Sequence, residues 1–381
     1  MSVEKPTILL VGLGHLGSVL LEFLAREEWI GRIVACARNR HRGEARCNLA
    51  RLSAAAQGLA PHIEFLQSDV DDTDRFAQAV DSISPRLILG TATMQTWWLS
   101  ELLPSAARAT LHRARFGMWL PLHLAPTRNF MEGVRASSFS GPILTAPFPD
   151  VVNCVLGKIG LAPSCGIGNV DEIVTKVRWL VAKRLQVPLE TVQAVMVAHH
   201  ALEETAYGGN PENAPPHYLR IYLDGSDITQ SVGAEEILFE PYPLAGGPGA
   251  AFFTAGSTIR LVRALFGRSD SNLHAPSPDG LPGGYPILVD DGRVEVKTIP
   301  GLPMADAVSI NERSHPFDGI RQIEDEGTVE FMPESVEIMR TELGYDCPRL
   351  APDDAGARGQ ELARRFREYA ARHGVDLSRV V

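Results

Sequence analysis

The chain has 381 residues, a length typical of about two domains, and with 45% hydrophobic and 22% charged residues it has the composition of a globular protein. Its formal net charge of −10 and the lack of a long basic run argue against nucleic acid or an anionic membrane surface as a partner. No signal-peptide pattern and no apolar run near the roughly 18 residues of a membrane helix occur, and the five cysteines form no CxxC pair. We therefore expect a cytoplasmic protein with reduced thiols.

The strongest motif is an apolar run that leads through a glycine-rich turn into a helical pattern. Residues 8–11 predict a buried strand, residues 12–17 have the G-x-G-x-x-G spacing, and apolar residues from 16 to 24 recur at helical spacing. The three glycines would allow a tight turn, a close approach of phosphate to the backbone, and close packing of the helix on the strand. The helix N-terminus favours an anion. This predicts a dinucleotide site at Gly12, Gly14, His15, Leu16 and Gly17; the alternative is a glycine-rich turn that binds nothing.

Further short strands alternate with helical segments up to about residue 150. They are predicted at residues 33–37, 63–66, 87–89 and 142–145. Such alternation indicates an α/β fold, a Rossmann-type doubly wound parallel sheet, and we assign residues 1–148 to a dinucleotide-binding domain. Because ligands of such sheets bind at the carboxyl ends of the strands, Thr91, Ala92 and Thr93 are expected to pass beside the cofactor.

The end of the second strand indicates which dinucleotide binds. An NAD site normally has a carboxylate there for the ribose 2′-hydroxyl, but this chain has none before Glu44. Arg38 and Arg40, with Arg42 beyond them, suit a 2′-phosphate, since guanidinium groups form charged, bidentate hydrogen bonds. The sequence therefore favours NADP over NAD; the alternative is a solvated basic loop.

The pattern changes after about residue 150. A helix is predicted at 171–184, strands at 192–197, 218–223 and 294–297, a helix at 258–266, and a Pro/Gly/Ser-rich surface loop at 270–286. This mixture predicts an α+β substrate or catalytic domain over residues 149–330. Residues 331–381 would form a C-terminal extension whose last helix carries Leu362, Phe366 and Tyr369 on one stripe and ends near Gly374.

Several segments in this order resemble the lactate/malate dehydrogenase superfamily over most of residues 5–310. Residues 43–49 resemble its "GEALDL" helix, residues 147–152 its "NPVDV" turn, and residues 166–168 its "GSG" turn. Residues 192–200 resemble the strand that leads to its catalytic "GEHG" sequence, residues 258–264 its late helix, and residues 286–300 its final strands. The resemblance implies a nicotinamide-dependent hydride transfer and a homodimer or homotetramer.

The resemblance places a catalytic histidine at His200. Imidazole titrates near neutral pH and can exchange a proton with the substrate oxygen while hydride passes to or from nicotinamide. The neighbouring His199 is the alternative; if the pair ends a strand, the two side chains point to opposite faces. A purely structural histidine pair is the remaining interpretation.

The substrate end of the resemblance is incomplete. The family's Asp and Arg partners fall on Glu172 and Thr175 when matched from the glycine turn, or on Ile173 and Lys176 when matched from the helix end. Glu172 and Lys176 share a helix face, so they could orient His200 and bind an anion, or form a surface ion pair.

Two further segments depart from the family's pattern. Pro147 replaces the Asn of the "NPVDV" turn, next to Phe148, and residues 91–98 contain no arginine where the family's substrate loop has it. Trp97 and Trp98 are expected to line the substrate pocket or the core. The departures argue against simple lactate or malate and favour another carbonyl, alcohol or imine as the small-molecule substrate.

Two other functions remain open. The missing Asn and Arg are also consistent with a non-catalytic dinucleotide-binding sensor or partner protein that has kept the dehydrogenase fold. A third hypothesis keeps the cofactor for redox-neutral chemistry, which in related families often needs a metal; the sequence has no convincing metal-ligand cluster.

Overall fold

The first part of the chain forms a six-stranded parallel sheet. The computed structural model describes residues 5–268 and 272–377. The strands are β1 (Thr7–Val11), β2 (Arg32–Ala37), β3 (Ile63–Gln67), β4 (Leu87–Gly90), β5 (Ile143–Thr145) and β6 (Cys165–Gly166). They lie in the order β3-β2-β1-β4-β5-β6, and every neighbouring pair is parallel. The predicted α/β fold with a doubly wound parallel sheet is confirmed.

Helices cover both faces of this sheet. They are α1 (His15–Leu24), α2 (Arg40–Ala55), α3 (Thr73–Ile83), α4 (Ser105–His112), α5 (Leu120–Ala136) and α6 (Pro149–Lys158). Side chains alternate along β1, so Leu9 and Val11 pack in one hydrophobic cluster while Ile8 and Leu10 pack in another. A strand buried on both faces explains why β1 is a continuous apolar run rather than an alternating one.

A second, antiparallel sheet follows. Its strands are β7 (Val192–Ala198), β8 (His217–Leu223), β9 (Ser226–Asp227), β10 (Leu273–Pro276), β11 (Gly284–Asp290) and β12 (Arg293–Val296). They lie in the order β10-β11-β7-β8-β9, with β12 on β11. The accompanying helices are α7 (Val170–Leu185), α8 (Leu202–Gly208), α9 (Ala234–Leu238), α10 (Ala251–Leu265) and α11 (Met304–Glu312).

The prediction of a surface loop over residues 270–286 is wrong for most of its described part. Residues 273–276 form the buried strand β10, and β11 begins at Gly284. β10 lies at the edge of its sheet, where a strand tolerates Pro276. The Pro/Gly signal belongs to the tight turn between the two strands, in which Ser277 and Asp279 have positive φ. Residues 270 and 271 lie outside the described residues.

The C-terminal region packs against the first sheet's helices. It contains β13 (Ile320–Ile323), β14 (Val329–Phe331), α12 (Pro333–Leu343), β15 (Arg349–Leu350) and α13 (Ala355–Arg372). Leu362, Phe366 and Tyr369 of α13 are buried in the cluster that also contains Phe130 of α5, and Gly374 follows the helix with a φ of +77°. The predicted terminal helix is confirmed.

Three strands depart from the predicted domain boundaries. The sixth strand of the parallel sheet lies beyond residue 148, and β13 and β14 join the C-terminal sheet although both begin before residue 331. Residues just before β13 consequently lie against both other parts of the molecule.

Candidate active site

The glycine turn connects β1 to α1 at the carboxyl end of the sheet. Gly12 has a φ of +99°, and a Cβ atom at Gly17 would lie 1.9 Å from the carbonyl oxygen of Gly12. A side chain is therefore excluded at both positions. Gly14, by contrast, has no heavy atom within 4 Å of the place where a Cβ atom would stand. Open space in front of Gly14, beside the first N–H groups of α1, fits a pyrophosphate group.

Residues at the end of β4 support this turn. The hydroxyl of Thr91 lies 2.8 Å from the carbonyl oxygen of Gly12 and 3.2 Å from that of Val11. Thr93 lies further on, 3.1 Å from Nδ1 of His123. The predicted residues Thr91, Ala92 and Thr93 thus lie beside the glycine turn. The hydroxyl of Thr91 donates to this turn and so connects it to the end of β4.

The aromatic pair after β4 lies at the rim of the same cleft. His15, the first residue of α1, places Nε2 2.6 Å from the carbonyl oxygen of Pro248, and its ring contacts Trp98 at 6.2 Å. Leu16 packs partly against the core below it. Trp97 is 47% exposed and lines a small cavity with His123, whereas Trp98 packs partly against the core. Of the two predicted pocket residues, only Trp97 presents a large free surface.

The end of β2 carries exposed arginines. Arg38 is exposed, and its side chain has no hydrogen-bond partner within the described ranges. Arg40 forms an ion pair with Glu44 at 3.0 Å and donates to Gln67 at 3.2 Å. No carboxylate occupies the position that would receive a ribose 2′-hydroxyl, and Arg38 is free to meet a phosphate there.

The turn after β5 adopts a strained conformation. Phe148 has a φ of +47° and a ψ of +55°, an unusual conformation for a bulky residue, and such strain commonly occurs at functional sites. Pro147 and Phe148 are both buried. The turn places the carboxylate of Asp150 where it accepts hydrogen bonds from the backbone N–H of His200 (3.0 Å) and from the side chain of Asn169.

His200 forms a buried pair with Asp318. Nδ1 of His200 lies 3.2 Å from the carboxylate of Asp318, which comes from the short helical segment His315–Asp318. Burial lowers the pKa of His200, but the charge of Asp318 and its hydrogen bond outweigh burial and raise that pKa to about 10. His200 keeps 23% of its side-chain surface exposed, so its ring can reach a ligand.

Nothing in the described ranges contacts Nε2 of His200 as a hydrogen-bond partner. This atom is therefore available to a substrate, while Nδ1 is occupied by Asp318. The resulting imidazolium is charged at neutral pH and can donate a proton from Nε2.

His199 lies in a different environment from its neighbour. Its side chain is completely buried, Nδ1 accepts from the backbone N–H of Ala201, and burial lowers its pKa to about 3. Nδ1 also lies 3.5 Å from Asp318, so both histidines approach the same carboxylate. The condition for opposite faces, that the pair ends a strand, is not met, because β7 ends at Ala198 and the pair follows it. Only His200 of the two is accessible.

The two helix residues matched to the family's Asp and Arg do not form the expected pair. Lys176 is 3% exposed, and its ammonium group donates to the carbonyl oxygens of Ala206 (2.6 Å) and Leu238 (2.8 Å). Its prediction as an anion-binding group is corrected, because its ammonium group is buried and donates to backbone carbonyls near the C-terminal ends of α8 and α9. The described contacts contain neither a surface ion pair of Lys176 with Glu172 nor a hydrogen bond from His200 to Glu172.

Glu172 nevertheless lies within electrostatic range of His200. Burial raises the pKa of Glu172 well above its usual value, and the neighbouring Glu203 raises it further. In the structure, Asp318 and not Glu172 contacts the ring of His200.

Aromatic rings close one side of His200. Its ring lies 5.2 Å from Phe116 and 5.4 Å from Phe148, and these two phenylalanines contact each other edge to face at 4.7 Å. His123 of α5 packs on Phe116, and burial lowers its pKa to about 4, so it is neutral.

Several of these residues were not identified as site residues from the sequence. Asp318, Glu203, Phe116 and His123 lie outside every quoted motif, and Asp150 lies inside the "NPVDV" segment without an assigned role. Asp318 is 118 residues from His200 and precedes Gly319, so its local sequence signals only a turn.

The described residues meet the requirements neither of a metal site nor of a membrane-spanning helix. Over residues 5–268 and 272–377, no group of three or more His, Cys, Asp or Glu side chains is placed to hold a metal ion. Every helix in the same ranges is too short or too polar to cross a bilayer.

Comparison by sequence identifies no relative, since neither a protein-family profile nor a curated protein matches the chain. Comparison by structure identifies lactate and malate dehydrogenases. Lactate dehydrogenase from Cryptosporidium parvum, complexed with lactic acid and nicotinamide adenine dinucleotide, matches with a TM-score of 0.52 at 15% identity, over 83% of this chain and 99% of that one.

Two further solved structures match equally well. Lactate dehydrogenase from Eimeria maxima with NADH and oxamate has a TM-score of 0.53 at 14% identity and covers 82% of this chain and 92% of its own. Malate dehydrogenase from Plasmodium falciparum with NADH has a TM-score of 0.51 at 14% identity and covers 81% of this chain and 94% of its own. The chain therefore has the lactate/malate dehydrogenase fold, as its motifs predicted.

Proposed function

We propose that this chain is an NADP-dependent oxidoreductase that transfers a hydride between nicotinamide and a carbonyl, alcohol or imine substrate other than simple lactate or malate. The observation that carries the proposal is the His200–Asp318 pair, which lies at the carboxyl end of β7 in a fold whose glycine turn fits a dinucleotide. Hydride transfer to a carbonyl needs a positioned proton donor, and His200, which is protonated at neutral pH and partly accessible, can serve as one.

The residues that would hold the dinucleotide are those of the glycine turn and the two neighbouring strand ends. The pyrophosphate would be held by the glycine turn, namely Gly12, Gly14 and Gly17 with the backbone of His15 and Leu16. It would be flanked by Thr91, Ala92 and Thr93. Arg38 would bind the 2′-phosphate, assisted by Arg40. The solved structures named above contain NAD or NADH, so the choice of NADP rests on Arg38 and on the lack of a carboxylate after β2.

When bound, nicotinamide supplies or accepts the hydride. During reduction, the imidazolium of His200 donates its Nε2 proton to the substrate atom that gains negative charge. Asp318 holds the ring through Nδ1 and stabilises its charge, so the same ring is in position for the next turnover. During oxidation, the neutral ring accepts the proton. Phe116 and Phe148 exclude water from one side of the ring, and Trp97 lines the approach.

Nicotinamide fluorescence and absorbance test the proposal together. NADPH should bind more tightly than NADH, and the bound NADPH should be oxidised by at least one member of a panel of ketones, aldehydes and cyclic imines. Tight NADPH binding with no oxidation across that panel would instead support the non-catalytic nucleotide-binding protein, which the missing substrate arginines also favour. Failure of both nucleotides to bind would contradict both functions.

Compartment and assembly belong to the same proposal. All five cysteines are buried free thiols, which suits a reducing compartment such as the cytoplasm. Leu49 and Leu52 of α2 are 53% and 71% exposed, and we propose that they contribute to a homodimer or homotetramer interface. Sedimentation of the purified chain distinguishes these states from a monomer.

A further inference from the structure

The candidate active site holds four carboxylates around the imidazole of His200. Asp150 and Asp318 accept hydrogen bonds from His200, and the backbone N–H of Glu203 donates to the carbonyl oxygen of His200 at 3.0 Å. Glu172 lies beside Glu203. With His200 protonated, this group still carries excess negative charge whenever two or more of the carboxylates are ionised.

Glu203 is the carboxylate that is left with a free acceptor. It lies on α8, one turn after His200, and its Oε1 atom is buried without a hydrogen-bond partner. A buried oxygen in this state costs free energy, because it has lost its hydrogen bonds to water and forms none with the protein. Burial accordingly raises the pKa of Glu203 to about 7. A ligand that donates a hydrogen bond or brings positive charge would remove this cost.

Apart from the imidazolium of His200, the described residues bring no positive side chain to these oxygens. Throughout residues 5–268 and 272–377, none of the four carboxylates forms an ion pair with a lysine or arginine. Lys176 on α7 is no such partner, because its ammonium group donates to two backbone carbonyls. Nor are the carboxylates arranged as metal ligands in the described residues.

Aromatic faces accompany the carboxylates. Phe116 and Phe148 flank the ring of His200 and meet each other at 4.7 Å. The faces of aromatic rings attract cations, most strongly where water is excluded, as it is at the 5% exposed Phe148. An anionic group here would be attracted by the His200 imidazolium but repelled by the ionised carboxylates, whose total charge exceeds that of the imidazolium when two or more are ionised.

From this arrangement we infer that the substrate is a cation, an iminium ion in the reductive direction and a protonated amine in the oxidative direction, recognised by Glu203. This inference rests on the proposed function. In reduction, the carbon of the C=N bond gains a hydride from the reduced nicotinamide, and the nitrogen, which receives the π electrons, gains a proton from Nε2 of His200. The products are an ammonium ion and the oxidised nicotinamide, and His200 regains its proton from solvent.

Binding of three small probes of equal size tests the charge preference directly. Benzylammonium, benzyl alcohol and benzoate share one ring and differ in charge, and each is titrated calorimetrically into the NADPH-loaded protein. Benzylammonium should bind at least about tenfold more tightly than benzyl alcohol, the change expected of one charged hydrogen bond, and benzoate should bind most weakly. Benzoate binding as tightly as benzylammonium would overturn the inference.

Glu203→Gln identifies the residue responsible. This change keeps the shape and removes the charge, so benzylammonium affinity should fall about tenfold while that of benzyl alcohol stays the same. Glu204→Gln is the matched control, because Glu204 is the next residue of α8 and its side chain is 63% exposed. Equal losses in both variants, or no loss in Glu203→Gln, would overturn the assignment; thermal melts show whether each variant is folded.

The same design separates this inference from the proposed function. Oxidation of NADPH by methylpyrroline, a cyclic imine, should exceed oxidation by cyclopentanone or pyruvate. Turnover of pyruvate or cyclopentanone but not of the imine would overturn the cationic substrate and leave the oxidoreductase intact. If NADPH does not bind, the proposed function fails, and the probe ranking in the nucleotide-free protein still decides the charge preference.

Discussion

Nδ1 of His200 lies 3.2 Å from the carboxylate of Asp318, although 118 residues separate the two along the chain. The pair joins the end of β7 to the segment that precedes the C-terminal sheet. The C-terminal region covers α5, and the segment His315–Asp318 just before its sheet supplies the carboxylate that keeps His200 protonated.

Replacement of Asp318 should move the pH profile of the reaction. Reduction needs the imidazolium, so the wild-type rate should stay high through neutral pH and fall only as the pH passes about 10. Asp318→Asn removes the largest contribution that raises the pKa of His200, while burial still lowers it and Glu203 and Asp150 still raise it, so the alkaline fall should begin at least about 2 pH units lower. The oxidation rate, which needs the neutral ring, should rise at correspondingly lower pH. A loss of rate with an unchanged profile would show that Asp318 has only a structural role.

Replacement of Arg38 should affect one nucleotide and not the other. Arg38→Ala removes an exposed guanidinium that we assign to the 2′-phosphate, so NADPH affinity should fall by about 1.5–3 kcal/mol and NADH affinity should change little. Nicotinamide fluorescence titrations measure both. Arg42→Ala, in the first turn of α2, provides a control from the same exposed arginine cluster. Tighter binding of NADH than of NADPH by the wild type would contradict the assignment of NADP.

Two alanine substitutions in the glycine turn should separate folding from nucleotide binding. Gly17→Ala would place a Cβ atom 1.9 Å from a backbone oxygen, so we expect a destabilisation of more than about 2 kcal/mol. Gly14→Ala meets open space at a φ of −68°, so its melting temperature should change by less than about 2 °C while NADPH binding weakens. Unchanged NADPH affinity in Gly14→Ala would place the pyrophosphate elsewhere.

Loss of the Lys176 ammonium should reduce stability rather than catalysis. Lys176→Met leaves the buried carbonyl oxygens of Ala206 and Leu238 without their donors, at a cost of roughly 2–4 kcal/mol in the free energy of unfolding. Urea unfolding measures this change. At a temperature where the variant is folded, kcat should stay within about twofold of wild type; a selective rise in KM would restore Lys176 to the substrate site.

The sequence predicted the parts of the molecule that depend on neighbouring residues. Three neighbouring segments show this: the strand at residues 8–11, the glycine turn and α1. Because they follow one another directly, their periodicity and steric requirements can be recognised from short stretches of sequence. The edge strand β10 was missed because Pro276 and the following turn dominate its composition. The parallel sheet, β7 and the terminal helix were predicted from the same local patterns.

The site was only partly predictable because its decisive contacts are not local. Motif spacing led to His200, yet the choice of Glu172 and Lys176 assumed that its partners share one helix. Three-dimensional packing instead brings Asp318 from far along the chain and turns Lys176 toward backbone carbonyls. Phe116 and His123 lie near His200 for the same reason and have no sequence signature.

The central claim is that His200 transfers the proton that accompanies the hydride. The most direct measurement compares NADPH oxidation by wild type and His200→Gln, with the carbonyl or imine substrate that the wild type uses and with NADPH affinity measured in parallel. The account predicts a loss of about 10²- to 10⁴-fold in kcat with NADPH binding unchanged. An undiminished rate in His200→Gln would contradict it.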